Sequence, residues 1–170
     1  MKKIFYIFLL GLIFTSNTQS HASHYKNISK IEMEVFRNDK LIGYSNYYFE
    51  HKDGAMIIKN YTQFKVKLLG VIIFSISSEA IEKYQDDKLV FFKSNTFQNN
   101  KEKFVNLKYD KSLNKFIIDG SSFKGEAKLD NVIGNWWNHK ILSANSQISP
   151  LSGSIKEQTV SLLKREIIKL

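Results

Sequence analysis

Apolar and polar residues alternate along most of the chain. Ile31, Met33 and Val35 are separated by Glu32 and Glu34, a period of two that places three apolar side chains on one face of a strand. Arg37-Asn38-Asp39-Lys40 reads as a polar turn, and 41–49 as a returning strand that carries Tyr44, Tyr47, Tyr48 and Phe49. The same unit of strand, polar turn and strand then recurs. His51-Lys52-Asp53-Gly54 turns into 55–69, where Phe64, Val66 and Leu68 alternate with Gln63, Lys65 and Lys67. Gly70 marks a bend or bulge, and 71–84 follows with Ile72, Phe74 and Ile76 on one face. Further turns at 85–88, 99–101, 111–114 and 120–122 separate strands at 89–98, 102–110, 115–119 and 123–129. This pattern predicts an all-β domain, an antiparallel meander curled into a barrel or half-barrel. The most apolar stretch of the mature chain, 68–74, is expected in the middle of the core; its sharper alternative is the floor of a lipid pocket.

Two segments break the rhythm. Lys2 and Lys3 precede an eleven-residue apolar run at 4–14 and a small-x-small site at Ser20-His21-Ala22, so 1–22 reads as a cleaved export signal and 23–170 as the domain. The run is short of the roughly 20 residues that span a bilayer. Segment 130–153 reads as a long crossing loop. It holds both Trp, in Asn135-Trp136-Trp137-Asn138, and the only Pro, Pro150. Such a loop is expected to plug one end of the sheet, or alternatively to cap a ligand. Strand character returns at 154–166 with Val160, Leu162 and Leu163, and the chain ends apolar.

Composition narrows the possibilities without naming a reaction. At 170 residues, with 43% hydrophobic and 24% charged, the chain fits one packed domain. Absence of Cys excludes disulfides, lipid-modified Cys and Cys-based zinc sites. The formal charge of +9 becomes +7 once Lys2 and Lys3 leave with the signal. It is almost entirely Lys, with only Arg37 and Arg165 to supply forked contacts, so nucleic acid is not the expected partner. A solvated Lys-rich surface is favoured, with attraction to anionic headgroups next.

Candidate chemistry is sparse. His21, His24, His51 and His139 show no metal-ligand spacing, and Glu82, Asp86 and Asp87 read as solvated turn charges rather than a calcium loop. No nucleophile elbow or phosphate loop is present. Glu82 stands apart: counting by two from Phe74 through Ile76, Ser78 and Ala80 places it on the inward face. A buried Glu must be paired or protonated, so it is a partner for a Tyr or Lys, or a polar anchor for a ligand.

Ile42-Gly43, Glu82-Lys83-Tyr84 before Asp86 and Leu89, and Trp137-Asn138 together resemble an uncharacterised family of exported, chiefly proteobacterial proteins known only as a domain of unknown function. The likeness runs from about Ile31 to the end. That family often carries His at the positions of Ser45 and Ser78, so no metal or acid–base role transfers to this chain. It also continues for several strands to a Trp-Tyr-Asp signature missing here, which implies an incompletely closed sheet. The resemblance carries no activity.

The expected function is non-enzymatic and cofactor-free: a periplasmic carrier for a hydrophobic or amphipathic small molecule, lipid included. Phe64, Phe74, Ile76, Glu82, Tyr84 and Trp137 are the expected ligand-binding residues. The competing expectation is an envelope protein that binds a protein partner, or the membrane periphery, through an open edge or Lys-rich face. An enzyme would require His139 and a carboxylate in one cleft.

Overall fold

A computed structural model describes residues 25–161. The expected export signal, His24 and the pair Leu162 and Leu163 lie outside the described residues. Eight strands follow one another in space as in sequence: β1 (Lys30–Arg37), β2 (Lys40–Lys52), β3 (Ala55–Leu68), β4 (Val71–Gln85), β5 (Lys88–Gln98), β6 (Lys101–Asp110), β7 (Lys115–Gly120) and β8 (Lys124–Ala127). All neighbours are antiparallel. β1 and β8 do not pair with each other, so the meander is an open sheet rather than a closed barrel.

Five turns of the meander have both central residues at positive φ: Asn38-Asp39, Asp53-Gly54, Leu69-Gly70, Asp86-Asp87 and Asn99-Asn100. These are the mirror-image two-residue turns whose twist suits a hairpin. Asn, Asp and Gly tolerate that conformation, whereas Leu69 at φ 50° bears a strain on the order of 1 kcal/mol. Alternation then sorts the side chains. In β7, Phe116, Ile118 and Gly120 are buried, while Lys115, Ile117 and Asp119 face solvent.

One face of the sheet is covered by the described residues that follow β8. This cover comprises β9 (Val132–Ile133), a 3-10 turn at His139–Leu142, β10 (Ser146–Ile148) and β11 (Ile155–Glu157). β10 pairs parallel with β9 and antiparallel with β11. Ile133, Trp137 and Ile148 of the cover share one core with Ile58, Phe92, Val105 and Leu107 of the sheet. The segment expected to plug one end therefore lies across a face instead. Gly120 permits the approach, because a Cβ there would sit 2.5 Å from the Ser152 carbonyl oxygen. Of the strand expected at 154–166, the described residues form only β11, with Val160 exposed beyond it.

The expectation that 68–74 forms the middle of the core is overturned. Leu68 is 59% exposed, Leu69 97% and Val71 65%, and Ile72 and Ile73 are also exposed. Topology explains this. β3 pairs with β2 only as far as Phe64 opposite Gly43, and β4 pairs with β5 only as far as Ile76 opposite Gln98. Beyond those pairs, β3 and β4 have only each other and project as a two-stranded ribbon. A bulge in the ribbon sets Ile72 opposite Lys67, so Ile72 leaves the face it was expected to share with Ile76.

Candidate ligand-binding site

The covered face is layered. Ser45, Thr62, Ser78 and Thr96, from β2 to β5, stand opposite one another in register, forming a row of hydroxyls across four strands. On the side toward the ribbon the same face carries Phe64 and Ile76; on the other side it carries Ile58, Glu82 and Phe92. A polar row inside an apolar face costs stability unless its members pair, and these do. Ser45 Oγ and Thr62 Oγ1 are 2.7 Å apart, Thr62 donates to Asn60 Oδ1 at 3.1 Å, and Asn60 Nδ2 donates to Ser45 Oγ at 3.2 Å. That ring of three bonds is closed when the Ser45 hydroxyl donates to Thr62. Ser78 and Thr96 pair at 2.7 Å through one of their two hydroxyl protons; when Thr96 donates, the Ser78 proton is left to turn toward the cavity.

Between this row and the cover lies a cavity of about 260 Å³. Ser45, Thr62 and Ser78 supply its hydroxyl wall, Phe64, Ile76 and Phe92 its apolar wall, and Gly134, Trp136, Gln147, Pro150 and Leu151 its roof. Ser94 ties sheet to roof by donating to the Pro150 carbonyl. A second cavity of about 280 Å³ lies near Tyr84, Leu89, Tyr109 and Phe116, bordered by the charged Asp87, Lys88 and Lys140. The first has the ordered polar wall that fixes an orientation, and it is the candidate.

Glu82 closes the inner end of the first cavity. It is fully buried, with its carboxylate held by three donors: Tyr84 hydroxyl to Oε2 at 2.9 Å, Asn135 Nδ2 to Oε1 at 2.8 Å and Trp137 Nε1 to Oε1 at 3.1 Å. Loss of water raises its pKa to about 7, against the opposing pull of the hydrogen bonds from Trp137, Tyr84 and Asn135. Burial, and then the nearby Glu82 charge, lift the Tyr84 hydroxyl well above its ordinary value. Trp137 is enclosed edge-to-face by Tyr25, Phe49 and Tyr84, with ring centres 4.9, 5.5 and 5.7 Å away.

The expected site residues therefore divide. Phe64, Ile76 and Glu82 line the cavity. Phe74 stands outside it, half-buried, with its ring centre 5.9 Å from that of Phe64. Tyr84 and Trp137 lie beyond Glu82 in the packed core, each donating a hydrogen bond to its carboxylate. The two Trp part company, since Trp136 is the exposed one and lines the cavity. His139 faces Tyr25, whose hydroxyl lies 3.0 Å from Nδ1.

Periodicity missed the hydroxyl row, although inward Ser or Thr on four successive strands was the available signal. The row includes Ser45 and Ser78, both of which line the cavity. No curated protein and no solved structure matches this chain. A family profile does, over residues 33–170, and the chain belongs to that family, described as Domain of unknown function (DUF6134).

Proposed function

We propose that the protein is a non-enzymatic binding protein of the cell envelope, exported to the periplasm, that holds a small amphipathic molecule between its sheet and its cover. The observation that carries this reading is the in-register hydroxyl row facing Phe64, Ile76, Phe92 and Leu151 across one cavity. Hydroxyls and the nearby Gln147 amide both donate and accept, so they suit a neutral head bearing hydroxyl or amide groups, while Lys156, the one cation of the lining, is exposed. Glu82 is a poor partner for a cation, because its oxygens already serve Tyr84, Asn135 and Trp137. Phe64, Ile76 and Leu151 suit the apolar part of the ligand. The volume falls just below the roughly 300–1,000 Å³ of typical small-molecule sites, which favours one short alkyl chain over a two-chain lipid.

The test is a titration with 1-octanoylglycerol, octanoate and octyltrimethylammonium, read by Trp136 emission. The expected order puts the neutral head first, with binding about tenfold weaker in Thr62→Val, which breaks the hydroxyl ring. Equal binding of all three, unaffected by Thr62→Val, would reject the assigned polar wall.

A further inference from the structure

The ribbon at the end of β3 and β4 is built for contact with something apolar. Four of the five mirror-image turns place Asn or Asp at their first positive-φ position; only this one places Leu69, at φ 50°. The apex is Leu68, Leu69, Val71, Ile72 and Ile73, all exposed, and the ribbon reaches about 15 Å past the last pair of β3 with β2. Its base is fixed, because Ser75 donates to Asn99 Oδ1 at 2.8 Å and its carbonyl accepts from the Asn99 amide at 3.1 Å.

Charge selects the occupant. In an antiparallel meander, the β1–β2, β3–β4 and β5–β6 turns share one end of the sheet. Around those turns, Arg37, Lys40, Lys65, Lys67, Lys101 and Lys103 are accompanied by Glu34, Asp39 and Glu102, and the β7–β8 turn at the same end adds Lys124 paired with Asp119. Residues 63–78 contain no acidic side chain. Phe36 and Leu41 add exposed apolar surface at the same end. Two copies meeting tip to tip would set Lys against Lys, so a second copy is disfavoured. An anionic bilayer satisfies both features. Its acyl boundary takes the apex, and its headgroups meet Lys67 and Lys65, about 7 and 13 Å back along the strand from Leu69.

We propose that this ribbon is a membrane-docking element that inserts its apolar apex into the interface of a bilayer containing anionic lipid. The docking stands independently of what the cavity holds. It would bring Phe74 and Phe64, and with them the Phe64 wall of the cavity, toward the lipid surface.

The test is co-sedimentation with sucrose-loaded vesicles of phosphatidylethanolamine containing phosphatidylglycerol, and with phosphatidylcholine alone. Wild type and Leu69→Asn are expressed from the same full reading frame, so any contribution of the N-terminus is common to both. Asn suits the turn better than Leu, so the variant is expected to melt at the same or higher temperature. Expected are binding to the anionic vesicles and about tenfold weaker binding by Leu69→Asn. A similar loss is expected for the double change Lys65→Gln and Lys67→Gln. Wild type failing to sediment, or Leu69→Asn binding as wild type does, would overturn the proposal. So would a wild-type dimer that Leu69→Asn disperses without any vesicle binding, which would assign the apex to a second copy. Ligand retention by Leu69→Asn is expected to be unchanged, so the two readings fail separately.

Discussion

At the residue scale, Glu82 makes the sharpest demand on the fold. Its carboxyl is raised from 4.5 to about 7 by burial, so the folded protein holds a proton there that the unfolded chain releases. Stability is then fullest below about pH 4.5, falls as pH rises to about 7, and levels off above, by about 3 kcal/mol for this group. Glu82→Gln keeps an oxygen for Asn135 and Trp137 and turns an amide donor toward the Tyr84 hydroxyl. It is expected to melt at the same temperature at pH 5 and pH 8, and to be the more stable form at pH 8. A wild-type slope retained in Glu82→Gln would place the titrating group elsewhere. Counting by two was enough to put Glu82 inside. Its partners in the cover were invisible, because 130–153 has no period from which a register could be read.

At the element scale, the cover depends on close passage over the sheet. Gly120→Ala drives a Cβ into the Ser152 carbonyl, and the expected cost is about 1–3 kcal/mol, measured by urea unfolding. The hairpins were legible because alternation and Asn/Asp turns agree at most corners. The hydroxyl row was not, and the reason is register. Ser45 and Thr62 are symmetric about the Asp53-Gly54 turn and could have been paired by counting. Thr62 with Ser78 and Ser78 with Thr96 are each displaced by one residue, through bulges after Val66 and Lys83. The 68–74 ribbon misled for another reason: hydrophobicity marks what avoids water, not whether neighbouring strands reach far enough to cover it.

For the whole molecule, sheet and cover share one core, with Trp137 of the cover packed against Phe49 and Tyr84 of the sheet. They are expected to unfold together. In Trp136→Phe, Trp137 emission and strand circular dichroism should follow one urea transition, whereas an earlier fluorescence transition would mean that the cover detaches first. An open sheet with a tightly joined cover is a scaffold able to keep a small cavity without closing a barrel. The most direct measurement of its use is native mass spectrometry of the protein recovered from its own host, beside Ala80→Leu, which fills the cavity from the β4 wall. The account predicts a reproducible small amphipathic adduct on the wild type that Ala80→Leu loses while staying folded. Bare wild-type protein, or the same adduct on both, would contradict it.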